Sequence, residues 1–242
     1  MINRVNFRFL AATGLLVLTF ALTGCQGEEI PGRRCGLVVD ATSFARNTDV
    51  PEKVKKSVPL FLSDCALVSF AVITGSVAQS NCRHSPMNLV ATSRDSQNDN
   101  PVRAKQINQA RKVEAMSVMD ELMTCAKTET KPPGSDVIGA ILDARLKASS
   151  VGEPAHLMII SDMANRTEEL DLYKADISSL NVRNNIISAI KASNRLPNLA
   201  ESTVQIIGFG IKVTPEKVRQ QQLLEFWQEF FAAAGCRQPT FL

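Results

Sequence analysis

Apolar residues along the chain fall into two alternating patterns, short unbroken runs and longer stretches with a helical period. The unbroken runs predict buried strands. They are residues 35–40, ending in "LVVD"; residues 66–74, "ALVSFAVIT", bounded by Gly75; and residues 155–160, "AHLMII", followed by Ser161–Asp162. Residues 203–211, "TVQIIGFGI", form another, and residues 87–92, "MNLVAT", a weaker one. Helical spacing covers the intervals between them. Val54, Val58, Phe61 and Leu62 predict a helix over 52–62, where Pro59 implies a kink or a late start. Ile107, Ala110, Val113, Met116, Met119 and Met123 form the stripe of a long helix over 102–126, with Pro101 as a good first residue. After "KPPGS" (131–135), Ser135 can cap a helix over about 136–148, and Thr167 is a candidate cap further on. Helices near 182–194 and over 215–234 follow. The last buries a broad face that includes Leu223, Leu224, Phe226, Trp227, Phe230 and Phe231.

Apolar strands alternating with helices predict an α/β fold. The expected architecture is doubly wound, with a mainly parallel six-stranded sheet, one antiparallel edge strand and helices on both faces. The chain divides into a leader over 1–24, a tether over 25–34 and one domain over 35–242. Hydrophobic residues make up 45 % of the 242, enough for a full core.

The leader has a basic start at Arg4 and Arg8 and an apolar run from Phe9 to Ala21, too short to span a bilayer comfortably. "LTGC" (22–25) resembles a bacterial lipobox. That resemblance implies cleavage before Cys25 and lipidation of this residue, hence a membrane-anchored envelope protein. Gln26 in place of an aspartate favours the outer membrane where the cell has one. The nine residues after Cys25, 26–34, reach at most about 30 Å, so the domain is expected close to the membrane.

Charge adds an exclusion. Lys and Arg total 27 against 24 acids, and loss of residues 1–24 removes two arginines, leaving 25 against 24. Such a balance does not suit nucleic-acid binding. Enzyme signatures are also missing: there is no G-x-S-x-G elbow and no glycine-rich phosphate loop after a strand. A Ser135–His156–Asp162 hydrolase can be drawn. However, His156 begins its strand and Asp162 follows the end, about 20 Å away.

In doubly wound sheets, ligands bind outside the carboxyl ends of the strands. Three polar clusters fall there: Asp40 with Thr42, Ser135 after the Pro-Pro-Gly loop, and Ser161–Asp162. Hard oxygens converging from separate loops suit Mg²⁺ or Mn²⁺. Each has a plainer account as well. Asp40 could turn the chain, Ser135 could cap a helix, and Asp162 could hydrogen-bond a loop.

The order of elements and the three clusters together resemble a von Willebrand factor type A domain. "DATSF" (40–44) is similar to the family's D-x-S-x-S, with Asp40 first and Thr42 second. Phe44 stands where a serine oxygen is expected, and Ser43 could compensate with a local backbone shift. "GSDVIGAI" (134–141) is similar to G-T-x-x-x-x-A-I, placing Ser135 at the threonine position, and Asp162 in "IISDM" matches the last acid. The resemblance implies a metal-ion-dependent adhesion site that takes a carboxylate from a partner protein, with Asp40, Thr42, Ser43, Ser135 and Asp162 as metal residues and no catalysis. A metal-free scaffold is the alternative, given Phe44, and an envelope hydrolase a second.

Five cysteines follow Cys25, none in C-x-x-C spacing, so zinc and thioredoxin-like sites are not expected. In this topology Cys35 and Cys236 share the edge opposite the metal site. A bridge between them, such as some relatives of the family carry, is expected. Cys82 with Cys125 is the next pair, leaving Cys65 as a buried thiol.

Overall fold

The computed structural model describes residues 32–41, 49–92, 95, 100–129, 132–149, 153–210 and 217–242. The leader, Cys25, the tether to residue 31, and Thr42, Ser43 and Phe44 lie outside the described residues. From Cys35 onward, strand β1 (Arg33–Asp40) is buried at every position, as its unbroken apolar run requires. Alternate residues then enter different cores. Val38 faces the cluster shared with Ile73, Leu157, Ile159 and Ile206, whereas Leu37 and Val39 face the one shared with Phe70, Val72, Met158 and Ile160.

The other strands are β2 (Cys65–Ile73), β3 (Met87–Asn88), β4 (His156–Ile160), β5 (Thr203–Ile207) and β6 (Thr240–Phe241). They form one six-stranded sheet in the order β3-β2-β1-β4-β5-β6. Only the β2–β3 pairing is antiparallel. The doubly wound architecture expected from the sequence is therefore present, and its sixth strand is the short β6. After β1 the chain goes to one side for β2 and returns to the other for β4. The carboxyl ends of β1 and β4 thus flank the topological switch point.

Helices α1 (Asp49–Ser63) and α2 (Pro101–Thr128) contribute to the core on one face. Helices α3 (Val137–Ala148), α4 (Leu180–Ala192) and α5 (Lys217–Ala233) contribute to the other. Local chemistry sets their starts. Asn100 caps α2 by accepting from Val102 N and Arg103 N, with Pro101 next. The cap of α3 is Asp136, which accepts from Gly139 N, and not Ser135. Ser179 caps α4, while Thr167 Oγ1 accepts from Leu170 N in a turn that starts no helix. Helix α1 begins at Asp49 and runs through Pro59, so no late start occurs. Pro59 is on the exposed side, where water can serve the carbonyl its ring leaves unpaired. Helix α5 buries Phe226, Trp227, Phe230 and Phe231 completely. At about 2–3 kcal/mol per side chain, this is a major anchor of its face.

The cysteine pairing corrects the expectation. Cys35 bonds to Cys65, and Cys236 is free. Cys35, third in β1, and Cys65, first in the adjacent β2, belong to the core beneath α1 and α2. Cys236 packs on the opposite core, with its Sγ 3.6 Å from the Ser202 carbonyl just before β5. Two strand spacings, about 10 Å, separate β5 from β1, beyond the reach of a bridge that needs Cα atoms within about 7 Å. Cys65 is accordingly a bridge partner and not a leftover thiol. The Cys82–Cys125 pair forms as expected and ties the loop after β2 to the end of α2.

Candidate functional site

β1 delivers Asp40 to the carboxyl rim, and parallel pairing with β4 aligns Val39 with Ile160. The next residues, Asp40 and Ser161, therefore face each other over the switch point. Both are 1 % exposed, and Ser161 Oγ donates to Asp40 Oδ2 at 3.0 Å. Ser161 Oγ also accepts from Met163 N at 3.0 Å. This second bond helps hold Met163 at φ 65°, a left-handed conformation that a non-glycine residue rarely adopts. The Met163 carbonyl in turn accepts from Trp227 Nε1 at 2.8 Å. The switch point is thereby tied by hydrogen bonds to the aromatic core.

Asp162 makes a tight turn, its Oδ1 accepting from Ala164 N at 2.9 Å. Its carbonyl accepts from Gly210 N at 3.1 Å, which brings the "GFG" turn after β5 onto the same rim. Here β5 stops at Ile207, short of the expected 211.

Ser135 reaches the rim through its backbone. Ser135 N donates to Arg166 O at 2.9 Å, and Arg166 N returns a bond to Ser135 O at 2.8 Å. Asp136 N donates to Thr74 O at 2.6 Å, fixing the loop to the end of β2. Gly75 allows this contact, because a Cβ there would collide with the Pro132 carbonyl. Gly134 sits at φ 138° against Arg166 O, a geometry that favours glycine. Buried Asn165 adds a further tie, accepting from Ile138 N at 3.2 Å and donating to Leu170 O at 2.9 Å.

Of the sequence-predicted residues, Asp40, Ser135 and Asp162 thus lie on segments joined at one rim. Thr42 and Ser43 lie outside the described residues. The sequence reading missed the partners around them. Asp136 is ion-paired with Arg195, which also reaches Glu169 at 3.2 Å. Tyr173, partly exposed beside the rim, has its hydroxyl held above the ordinary value by burial first. The negative charges of Asp162, Asp40 and Asp171 add to the rise, and Arg166 opposes it. Thr74 also went unnoticed, although its place between an apolar run and a glycine marks a strand end.

The side chains of Asp40, Ser135 and Asp162 offer oxygen atoms only, from two carboxylates and a hydroxyl. That chemistry fits a hard divalent cation such as Mg²⁺ or Mn²⁺ better than a soft one. Among the described residues, no three His, Cys, Asp or Glu side chains are grouped so as to hold a metal ion. Any ion here would depend on hydroxyl and water ligands besides the two acids. The drawn hydrolase triad is not assembled: His156 opens β4, where its Nδ1 lies 2.6 Å from Thr203 Oγ1, and Asp162 follows the other end. No helix among the described residues is long and apolar enough to cross a membrane. No protein-family model matches the chain, and no curated protein matches it.

Proposed function

We propose that this chain is a lipid-anchored envelope protein whose domain, similar to a von Willebrand factor type A domain, binds a protein partner at the carboxyl rim. Mg²⁺ or Mn²⁺ would be held by Asp40, Ser135 and Asp162, together with Thr42 or Ser43. Bound there, the cation would supply an open coordination position for a partner carboxylate. Asp40 would contribute charge from a position made rigid by Ser161, and the loop over 132–136 would bring in a hydroxyl. The chemistry is recognition without turnover. The observation that supports this reading best is a buried carboxylate at the switch point, with two further polar loops hydrogen-bonded onto the same rim. Anchoring at Cys25 would keep the rim within tens of ångströms of the membrane, so the partner belongs to the envelope.

A metal-free scaffold is the second reading, and one observation favours it. The Asp40 carboxylate already accepts from a buried hydroxyl and does not depend on a cation for that contact. Calorimetric titration with MgCl₂ and MnCl₂ separates the two. Saturable heat from the wild type, lost in Asp40→Ala and weakened in Asp162→Asn, supports the cation site. Silence from a folded wild type supports the scaffold. Asp162→Asn keeps the site testable if loss of the buried acid prevents folding. Crosslinking in intact membranes, followed by purification, then identifies the partner.

A further inference from the structure

Helix α2 divides into two halves of different character. Its buried residues are Ala115, Val118, Met119, Leu122 and Ala126, all in the second half, while residues 101–114 bury none. The charges divide at the same place. Residues 101–113 hold Arg103, Lys105, Arg111 and Lys112 and no acid, whereas Glu114, Asp120 and Glu121 follow. Arg111 is occupied by Asp95 and the Val90 carbonyl. Arg103, Lys105 and Lys112 have no ion-pair partner among the described residues.

Contacts at its two ends orient the helix. Toward the C-terminus, Cys125 is bridged to Cys82, and the Glu129 carboxylate accepts from Ser80 Oγ and Asn81 N, in the loop that follows the carboxyl end of β2. Toward the N-terminus, Asn108 Oδ1 accepts from Ala91 N, and Arg111 reaches the Val90 carbonyl. Val90 and Ala91 follow β3, which runs antiparallel to β2, and Leu89 N already bonds to Ala66 O at the start of β2. The first half of α2 therefore stands at the amino edge of the sheet. Residues 101–107 precede the first of these ties, so about 10 Å of helix extends past it. The chain enters β1 at the same edge, at Arg33, one strand away from β2. Cys25 is eight residues earlier, within about 30 Å at full extension. Arg33 and Arg34 are paired with Asp64 and Glu153, so they add little net charge there.

We infer that the first half of α2 is a basic arm that lies on the phosphate headgroups of an anionic bilayer, turning the amino edge of the sheet toward the membrane and the carboxyl rim away from it. The inference rests on the lipid-anchored reading of the previous section and is independent of a cation at the rim. Val102 and Val113, both exposed, are about three helical turns apart and share a face. Lys105 and Lys112 flank that face on one side and Arg103 on the other. Such side chains lay their stems along the interface and place their charges among phosphates. Each charge adds attraction to an anionic surface that fades within a Debye length, and the anchor holds this edge inside that range. An acidic protein is the competing occupant. The short chain to Cys25 favours the lipid.

The test uses the full-length protein reconstituted into vesicles of phosphatidylcholine alone and of phosphatidylcholine with about 30 % phosphatidylglycerol. Brief acetylation followed by peptide mass spectrometry reads each lysine. Lys105 and Lys112 are expected to react at least about 10-fold more slowly in the anionic vesicles, and about 0.5 M NaCl should remove that protection. Lys217 is exposed at the start of α5, close to Arg219, which bonds to the Leu172 carbonyl on the rim side. It should react equally in both vesicles. The double variant Arg103→Gln/Lys112→Gln should keep the wild-type unfolding temperature and lose most of the protection at Lys105. Equal labelling of Lys105 in both vesicles, or protection of Lys217 in its place, overturns the inference. Protection found in native membranes but not in anionic vesicles assigns the arm to a protein and overturns the lipid assignment. The mass of the Cys25 peptide in the same digest tests the anchor separately. A lipidated Cys25 with unprotected lysines overturns the arm alone, and an unmodified Cys25 overturns the lipid-anchored reading and the arm with it.

Discussion

Ser161 Oγ bonds to Asp40 Oδ2 across 3.0 Å, joining residues 121 positions apart at the ends of adjacent parallel strands. The same hydroxyl receives Met163 N, so one oxygen supports both a buried acid and a left-handed turn. Ser161→Ala deprives a buried carboxylate of a donor and leaves a buried amide unpaired. Each such loss costs roughly 1–3 kcal/mol, and the two share one site. The variant should unfold in urea with stability lowered by about 2–4 kcal/mol. An unchanged midpoint would show that the hydroxyl supports neither group.

Trp227 is the single tryptophan of the chain, and its Nε1 donates to the Met163 carbonyl. Trp227→Phe removes that donor and part of a fully buried ring system, with an expected loss of about 2–3 kcal/mol. Because the indole is bonded to the rim backbone, its emission also reports on the rim. Addition of MnCl₂ or MgCl₂ should change wild-type fluorescence if an ion binds, and a flat titration alongside saturable calorimetric heat would place the ion elsewhere.

The two disulfides can be mapped directly. Digestion without reduction should release Cys35 linked to Cys65 and Cys82 linked to Cys125. A peptide joining Cys35 to Cys236 would refute the topology around β1 and β5. Burial pushes the Cys236 thiol up to about 11, so at pH 8 its thiolate is scarce. Alkylation there should be on the order of 100-fold slower than for an exposed cysteine. The bridges close loops with sequence separations of 30 and 43 residues. By the chain-entropy relation, each contributes about 3–4 kcal/mol, so reduction should lower the unfolding midpoint sharply.

The strands that position the rim were legible because both faces of the sheet are covered, which leaves β1, β2 and β4 as unbroken apolar runs with polar residues at their ends. β6 was not legible. Thr240 and Phe241 make a strand only because Ile206 and its neighbour offer an edge to pair with, and two residues carry no pattern. β3 shrank to Met87–Asn88 for the same reason: strand length depends on a partner that the local sequence does not specify. Cys35 and Cys65 could not be matched from spacing, since that needs knowledge that β1 and β2 start level. At the rim, Asp40 and Asp162 were visible as polar breaks after apolar runs, and Ser135 as a polar residue between a Pro-Pro-Gly loop and a helix. Thr74 looked like the last residue of a strand, and the lack of a hydrogen-bond partner for its buried Oγ1 is a three-dimensional fact. Tyr173 is brought close by a loop whose turns at Thr167 and Asp171 follow no helical or strand period.

His156 gives the domain a pH dependence whose sign follows from its surroundings. The imidazole opens β4 at the amino edge of the sheet. It shares a pocket of about 310 Å³ with Arg33, Asp64, Leu60 and Thr203. Burial is the main cause that lowers its pKa below 6.5, the Arg33 charge acts in the same direction, and Asp64 opposes both. A histidine whose folded pKa is depressed binds its proton more readily when unfolded, so stability is fully present above the unfolded value and is lost as pH falls through the folded one. Lowering the pH from about 7.5 to 5.5 should therefore reduce the urea midpoint of the wild type. His156→Asn retains a polar atom near Thr203 Oγ1 and cannot take up the proton, so it should lose less stability over the same interval. Equal losses in the two proteins would assign the pH response to carboxylates elsewhere.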